Sequence, residues 1–134
     1  MKKNTLIQIA LIITLSLLFS CSKEAGDGGN SSIFGKVYAK DYNDAFTLPL
    51  GEYYESDQDV YIIYGDDKTY SDKTVTNPDG LYEFKYLRPG KYTVYTYSKD
   101  STLQTISNRI GVLQTVEITE KNQDVEVPDL VIFK

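Results

Sequence analysis

Asn77-Pro78-Asp79-Gly80-Leu81-Tyr82-Glu83-Phe84-Lys85-Tyr86-Leu87-Arg88-Pro89-Gly90-Lys91-Tyr92-Thr93-Val94-Tyr95-Thr96-Tyr97 carries the strongest structural signal in the chain. Residues 81–87 and 91–97 each alternate apolar with polar or outward-facing residues, the period of a half-buried strand. Asn77-Pro78-Asp79-Gly80 has the order of a type I turn, with Pro where φ is already near −65° and Gly where the chain turns left-handed. Arg88-Pro89-Gly90-Lys91 has the order of a type II turn. The pattern predicts successive antiparallel strands at 73–76, 81–87 and 91–97, with Tyr82, Phe84, Leu87, Tyr92 and Val94 pointing inward.

On either side of this stretch the signals remain those of short strands. Residues 33–38 alternate and form the expected first strand, with Gly35 marking a bulge or a close approach of another element. Residues 41–59 are long and polar and read as a loop, with Phe46, Leu48 and Leu50 tacking it to the body. Residues 60–64 (Val-Tyr-Ile-Ile-Tyr) and 112–119 read as strands. The last strand covers 125–127 and 130–133, interrupted by Pro128, which places it at an edge or a bulge. Residues 33–134 thus read as one all-β domain of about seven short strands, the spacing of a β-sandwich.

Composition narrows the chemistry. Twelve tyrosines, five phenylalanines and no tryptophan favour pleated, half-wet surfaces. There is no histidine, which removes the usual general base near neutral pH and the commonest transition-metal ligand. No serine stands in a G-x-S-x-G setting and no paired carboxylates flank a recognisable sugar-cleaving motif. The acidic clusters Asp41/Asn43/Asp44, Glu52/Glu55/Asp57/Asp59 and Asp66/Asp67 do not match the twelve-residue calcium loop and read as solvated loops. The expectation is a protein that is not an enzyme and has no cofactor, metal or catalytic residue. The formal charge of −5 also argues against nucleic acid as a partner.

The first residues read as a targeting segment. Lys2-Lys3 is followed by an almost unbroken apolar run from Leu6 to Phe19, the length of a signal-peptide core and short for a bilayer span. It ends in Leu18-Phe19-Ser20-Cys21, and Cys21 is the only cysteine of the chain. This resembles a bacterial lipobox. The resemblance implies a signal peptide at 1–20, lipidation of Cys21 (diacylglycerol on sulfur, with an acyl group such as palmitate on the new amino group) and an outer-membrane lipid anchor. Two or three acyl chains hold a protein effectively for good, at about 0.8 kcal/mol per buried CH₂. Loss of Lys2 and Lys3 would take the formal charge from −5 to −7. Residues 22–32 are Gly, Ser and charged, so 21–32 read as the lipidated Cys and a flexible tether. Lys23-Glu24 partly resembles a surface-export signal, although Ala25 stands where a second acidic residue is wanted. The periplasmic and surface-exposed faces both stay open.

Ile33, Gly35 and Val37, followed by Asp79, Gly80, Tyr82, Phe84, Leu87, Pro89, Gly90, Tyr92 and Val94, resemble the carboxypeptidase regulatory-like domains. These belong to the larger transthyretin-like (prealbumin-like) and Cna-B-like set. The resemblance implies a seven-stranded antiparallel Greek-key β-sandwich that serves as an accessory, stalk or recognition module. Some Cna-B-like domains close a Lys–Asn isopeptide bond. Lys36 and Glu83 fit that pattern, but the last strand has no Asn and Asn122 lies in the turn before it.

If Val60, Ile62, Tyr92 and Val94 point inward, strand alternation turns Tyr61, Ile63, Tyr95 and Tyr97 outward. Exposed aromatic patches often mark binding sites, so these four residues are the candidate binding face, for a glycan or an envelope protein partner. Two alternatives stay open: loop 41–58, with Phe46, Tyr53 and Tyr54, folds over that face and buries it, or the protein is a purely structural envelope component with no ligand.

Overall fold

The computed structural model describes residues 24–134, which form nine β-strands in two sheets and no helix. The expected signal peptide and the lipidation site Cys21 lie outside the described residues. The strands are β1 (Asp27–Tyr42), β2 (Pro49–Tyr54), β3 (Asp59–Tyr64), β4 (Asp72–Val75), β5 (Leu81–Leu87), β6 (Gly90–Lys99), β7 (Arg109–Ile118), β8 (Asp124–Glu126) and β9 (Leu130–Phe133).

One sheet is built on the sixteen-residue β1. Its first half pairs antiparallel with β5 and parallel with β8. Its second half pairs antiparallel with β2 and parallel with β9. The other sheet has the order β4-β3-β6-β7, antiparallel throughout. Ile33, Val37, Tyr82, Phe84, Leu87, Leu130 and Ile132 from the first sheet join Val60, Ile62, Tyr92, Val94 and Ile118 from the second in a single buried core. Burial alternates along β6 and β7, as expected of strands with one dry face.

The all-β, two-layer expectation therefore stands, and its details change. Nine strands replace seven, because 49–54 is a strand and Pro128 separates β8 from β9. The sheet on β1 is mixed rather than antiparallel, since β8 and β9 run parallel to β1. Residues 73–76, 81–87 and 91–97 are not neighbours in one sheet. β4 and β6 lie in one layer and β5 in the other, so both Pro-Gly turns are corners between layers. At the first corner Gly80, at φ 74°, donates its N–H to the Asn77 carbonyl (2.9 Å), as a Pro-containing tight turn requires. The second is not the expected type II turn. Gly90 already opens β6 at φ 157°, and the Arg88 carbonyl accepts from the Tyr92 hydroxyl at 2.6 Å. An alternating pattern shows that one face is buried but not which layer buries it.

The tether is also shorter than expected, because β1 begins at Asp27. Ser31 and Ser32 are buried; the Ser32 hydroxyl donates to Asp124 at 2.6 Å. Gly29 lies so close to the Leu87 carbonyl that an added Cβ would meet its oxygen at 1.9 Å. Gly26 donates its N–H to the Tyr92 hydroxyl at 2.9 Å. Small polar side chains that looked too poor in apolar surface to order are held by backbone pairing to β5 and β8. Gly35 marks a close approach, as its sequence context suggested: an added Cβ would meet the Tyr82 hydroxyl at 2.6 Å.

Candidate functional site

The outer face of the β4-β3-β6-β7 sheet carries the aromatic cluster. Tyr61 on β3 is the register partner of Tyr95 on β6, and their rings stack at 5.0 Å and 16°. Tyr97 meets Tyr61 at 73° and Tyr95 at 88°, both at 5.8 Å between centroids. These are the favourable edge-to-face arrangements of aromatic quadrupoles. Val60, Ile62, Tyr92 and Val94 are fully buried beneath, so the outward turn of Tyr61, Ile63, Tyr95 and Tyr97 follows from alternation as expected. Ile63 stands two pairs along the ladder, opposite Thr93, outside the ring contacts.

Residues 41–58 do not close over this face. Residues 49–54 form β2 beside β1, in the other sheet. Phe46 packs on Tyr42 and Phe133, and Tyr54 packs on Tyr38. The neighbour that does reach the face is Tyr70, whose ring meets Tyr61 at 5.1 Å. It comes from the short β3–β4 loop, which is tied down where Ser71 donates its N–H to the Ile62 carbonyl at 2.8 Å. Tyr70 remains 53% exposed, Tyr97 38% and Leu113, the register partner of Tyr95, 58%. Burial among the rings, then the neighbouring Tyr97, push the Tyr95 pKa above its ordinary value.

Tyr97 also lines a cleft of about 550 Å³ at the end of β6, where the two layers meet. From the β6-β7 side the cleft receives Tyr97, Lys99, Asn108 and Arg109, and from the β1 side Asp41, Tyr53 and Lys134. The Arg109 guanidinium sits over the Tyr97 ring, 4.8 Å from its centroid, a cation–π contact that joins cleft to aromatic face. Lys134 donates to Glu55 at 2.6 Å; this hydrogen bond raises the lysine's pKa, against the effect of burial.

The loop that delivers Asn108 and Arg109 is built on Asp100, which is 1% exposed. Its carboxylate accepts the Thr102 hydroxyl and the backbone N–H groups of Thr102, Gln104 and Thr105, four bonds of 2.5–3.0 Å. The Thr102 hydroxyl first, then the backbone donors, hold the carboxyl well below the usual carboxylate range. Tyr70 and Arg109 escaped sequence reasoning because both lie at or next to aperiodic polar segments, where spacing shows no facing.

Two other surfaces carry aromatic or acidic side chains. Tyr38 and Tyr54 form an edge-on pair on the β1 sheet, with Lys36 over the Tyr54 ring at 4.6 Å. Their hydroxyls already donate to Glu52 and Asp129. Lys36 is thus engaged with an aromatic ring, and Asn122 is in the exposed turn before β8. A larger dish of about 770 Å³ opens at the start of β6, lined by Glu24, Asp27, Asp66, Asp67 and Glu117 among others. Its one aromatic residue, Tyr64, donates its hydroxyl to Asp27 at 2.7 Å, and this surface offers no cluster of rings. Among the described residues no group of three or more Asp, Glu, His or Cys side chains is placed to hold a metal ion.

No protein-family model matches the chain, and no curated protein matches it. A solved structure from Pseudomonas aeruginosa, described as that of a "putative carbohydrate binding protein", superposes with a TM-score of 0.51 at 13% identity. The match covers 82% of this chain and 92% of that one. At that identity the likeness is one of fold.

Proposed function

We propose that this protein is a non-catalytic carbohydrate-binding module, anchored to the outer membrane through a lipid on Cys21. The observation that carries the binding reading is the continuity of the Tyr61/Tyr70/Tyr95/Tyr97 cluster with the polar cleft beside Tyr97. Carbohydrate recognition needs apolar ring surface for the C–H faces of a sugar and, alongside it, fixed polar groups for the hydroxyls. Both are present within one continuous surface, where Tyr97 belongs to the ring cluster and also lines the cleft. The name given to the Pseudomonas aeruginosa protein of similar fold points the same way. The lipobox-like Leu18-Phe19-Ser20-Cys21 supports the anchor, and the regulatory-like motif at 79–94 supports an accessory role.

The binding test is a glycan array probed with wild type and with Tyr97→Ala. The variant is expected to lose at least about tenfold in affinity, equal to about 1.4 kcal/mol, while its melting temperature stays close to that of wild type. Absence of wild-type binding to any array glycan overturns this function. The anchor is tested separately: Cys21→Ala is expected to move the protein from the membrane to the soluble fraction, and unchanged membrane association rules it out.

A further inference from the structure

The preferred sugar follows from the charge of the cleft. The chain is acidic, with 19 Asp and Glu against 14 Lys and Arg. The lining of the cleft beside Tyr97 carries three cations, Lys99, Arg109 and Lys134, and one carboxylate, Asp41. Two of the three cations have carboxylate partners. Lys134 is bound to Glu55 at 2.6 Å, and Lys99 lies 3.6 Å from Asp44. Arg109 forms no ion pair among the described residues. Its guanidinium is held over the Tyr97 ring instead. A guanidinium without an ion-pair partner has N–H donors to offer, and its planar edge matches a carboxylate with two parallel hydrogen bonds. The Asp100-centred loop holds the backbone as far as Thr105, four residues before Arg109.

Resting on the carbohydrate-binding reading, we infer that the cleft takes an acidic sugar unit, with its carboxylate on the Arg109 guanidinium and its ring beside Tyr97. Arg109 enters from the β7 side and Asp41 from the β1 side. A uronate can therefore place its charge on Arg109 and donate hydroxyls toward Asp41.

The experiment titrates the full-length chain, solubilised in detergent, with tetragalacturonate and with its fully methyl-esterified form. Esterification removes the charge and leaves the rings. The expected result is at least a tenfold preference for the acid, lost in Arg109→Gln and weakened by raising salt. Equal affinity of wild type for acid and ester overturns the charge inference and leaves carbohydrate binding intact. An acid preference that survives Arg109→Gln overturns the assignment to Arg109. Binding of neither form, together with a blank glycan array, overturns both this inference and the function it rests on.

Discussion

Tyr61 and Tyr95 face one another across the β3–β6 ladder, their rings 5.0 Å apart and 16° from parallel. Cross-strand aromatic pairs contribute about 0.5–1.5 kcal/mol beyond the area they bury. A double-mutant cycle with Tyr61→Ala and Tyr95→Ala, followed by urea unfolding, is expected to give a coupling energy of about that size. No measurable coupling would mean that the rings do not meet in solution.

Phe84 is 3% exposed and meets the Tyr82 ring edge-on at 6.2 Å. Phe84→Ala is expected to destabilise the domain by about 3–5 kcal/mol. Domains of this size have about 5–15 kcal/mol in total, so the variant should be marginal at 37 °C. A melting temperature equal to that of wild type would remove Phe84 from the core.

Gly29 tests where the folded domain begins. In a free tether Gly29→Ala would leave stability untouched. In β1 the added methyl meets the Leu87 carbonyl oxygen, a backbone atom that cannot swing aside. The expected cost is about 1–3 kcal/mol, the usual range for overpacking, read by thermal or urea unfolding. An unaffected Gly29→Ala protein would show that 27–32 is not paired to β5.

Asp100 predicts a pH dependence. Its folded pKa is lowered by the Thr102 hydroxyl and by backbone donors, below an unfolded value of about 3.9. Stability from a depressed carboxyl is fully present above the unfolded pKa and is lost as pH falls through the folded one. Asp100→Asn is therefore expected to melt below wild type at pH 7. The gap should stay level down to about pH 4 and narrow under more acid conditions. A gap independent of pH would show that Asp100 does not act through its charge.

Much of the architecture was legible without coordinates. Period-two burial at 60–64, 81–87 and 91–97 identified the inward residues, and all of Val60, Ile62, Tyr82, Phe84, Leu87, Tyr92 and Val94 lie in the core. The outward facing of Tyr61, Ile63, Tyr95 and Tyr97 followed from the same alternation. Residues 27–32 form strand and not tether, because residues without apolar side chains can still be ordered by backbone pairing, which composition does not register. β2 is not legible in the sequence, because all six of its residues are exposed and no buried face marks it as a strand.

Local chemistry alone determined which side of β3, β5 and β6 is dry, because that depends on neighbours two positions apart. The tertiary structure decided what those strands pack with. It sent β5 to one layer and β6 to the other, ran β8 and β9 parallel to β1, and left the tyrosine face open by carrying 49–54 to the opposite sheet. It also brought Tyr70 and Arg109, 39 positions apart in sequence, to two sides of one aromatic cluster. Contacts at that separation depend on how whole layers dock, and no local pattern of residues encodes them.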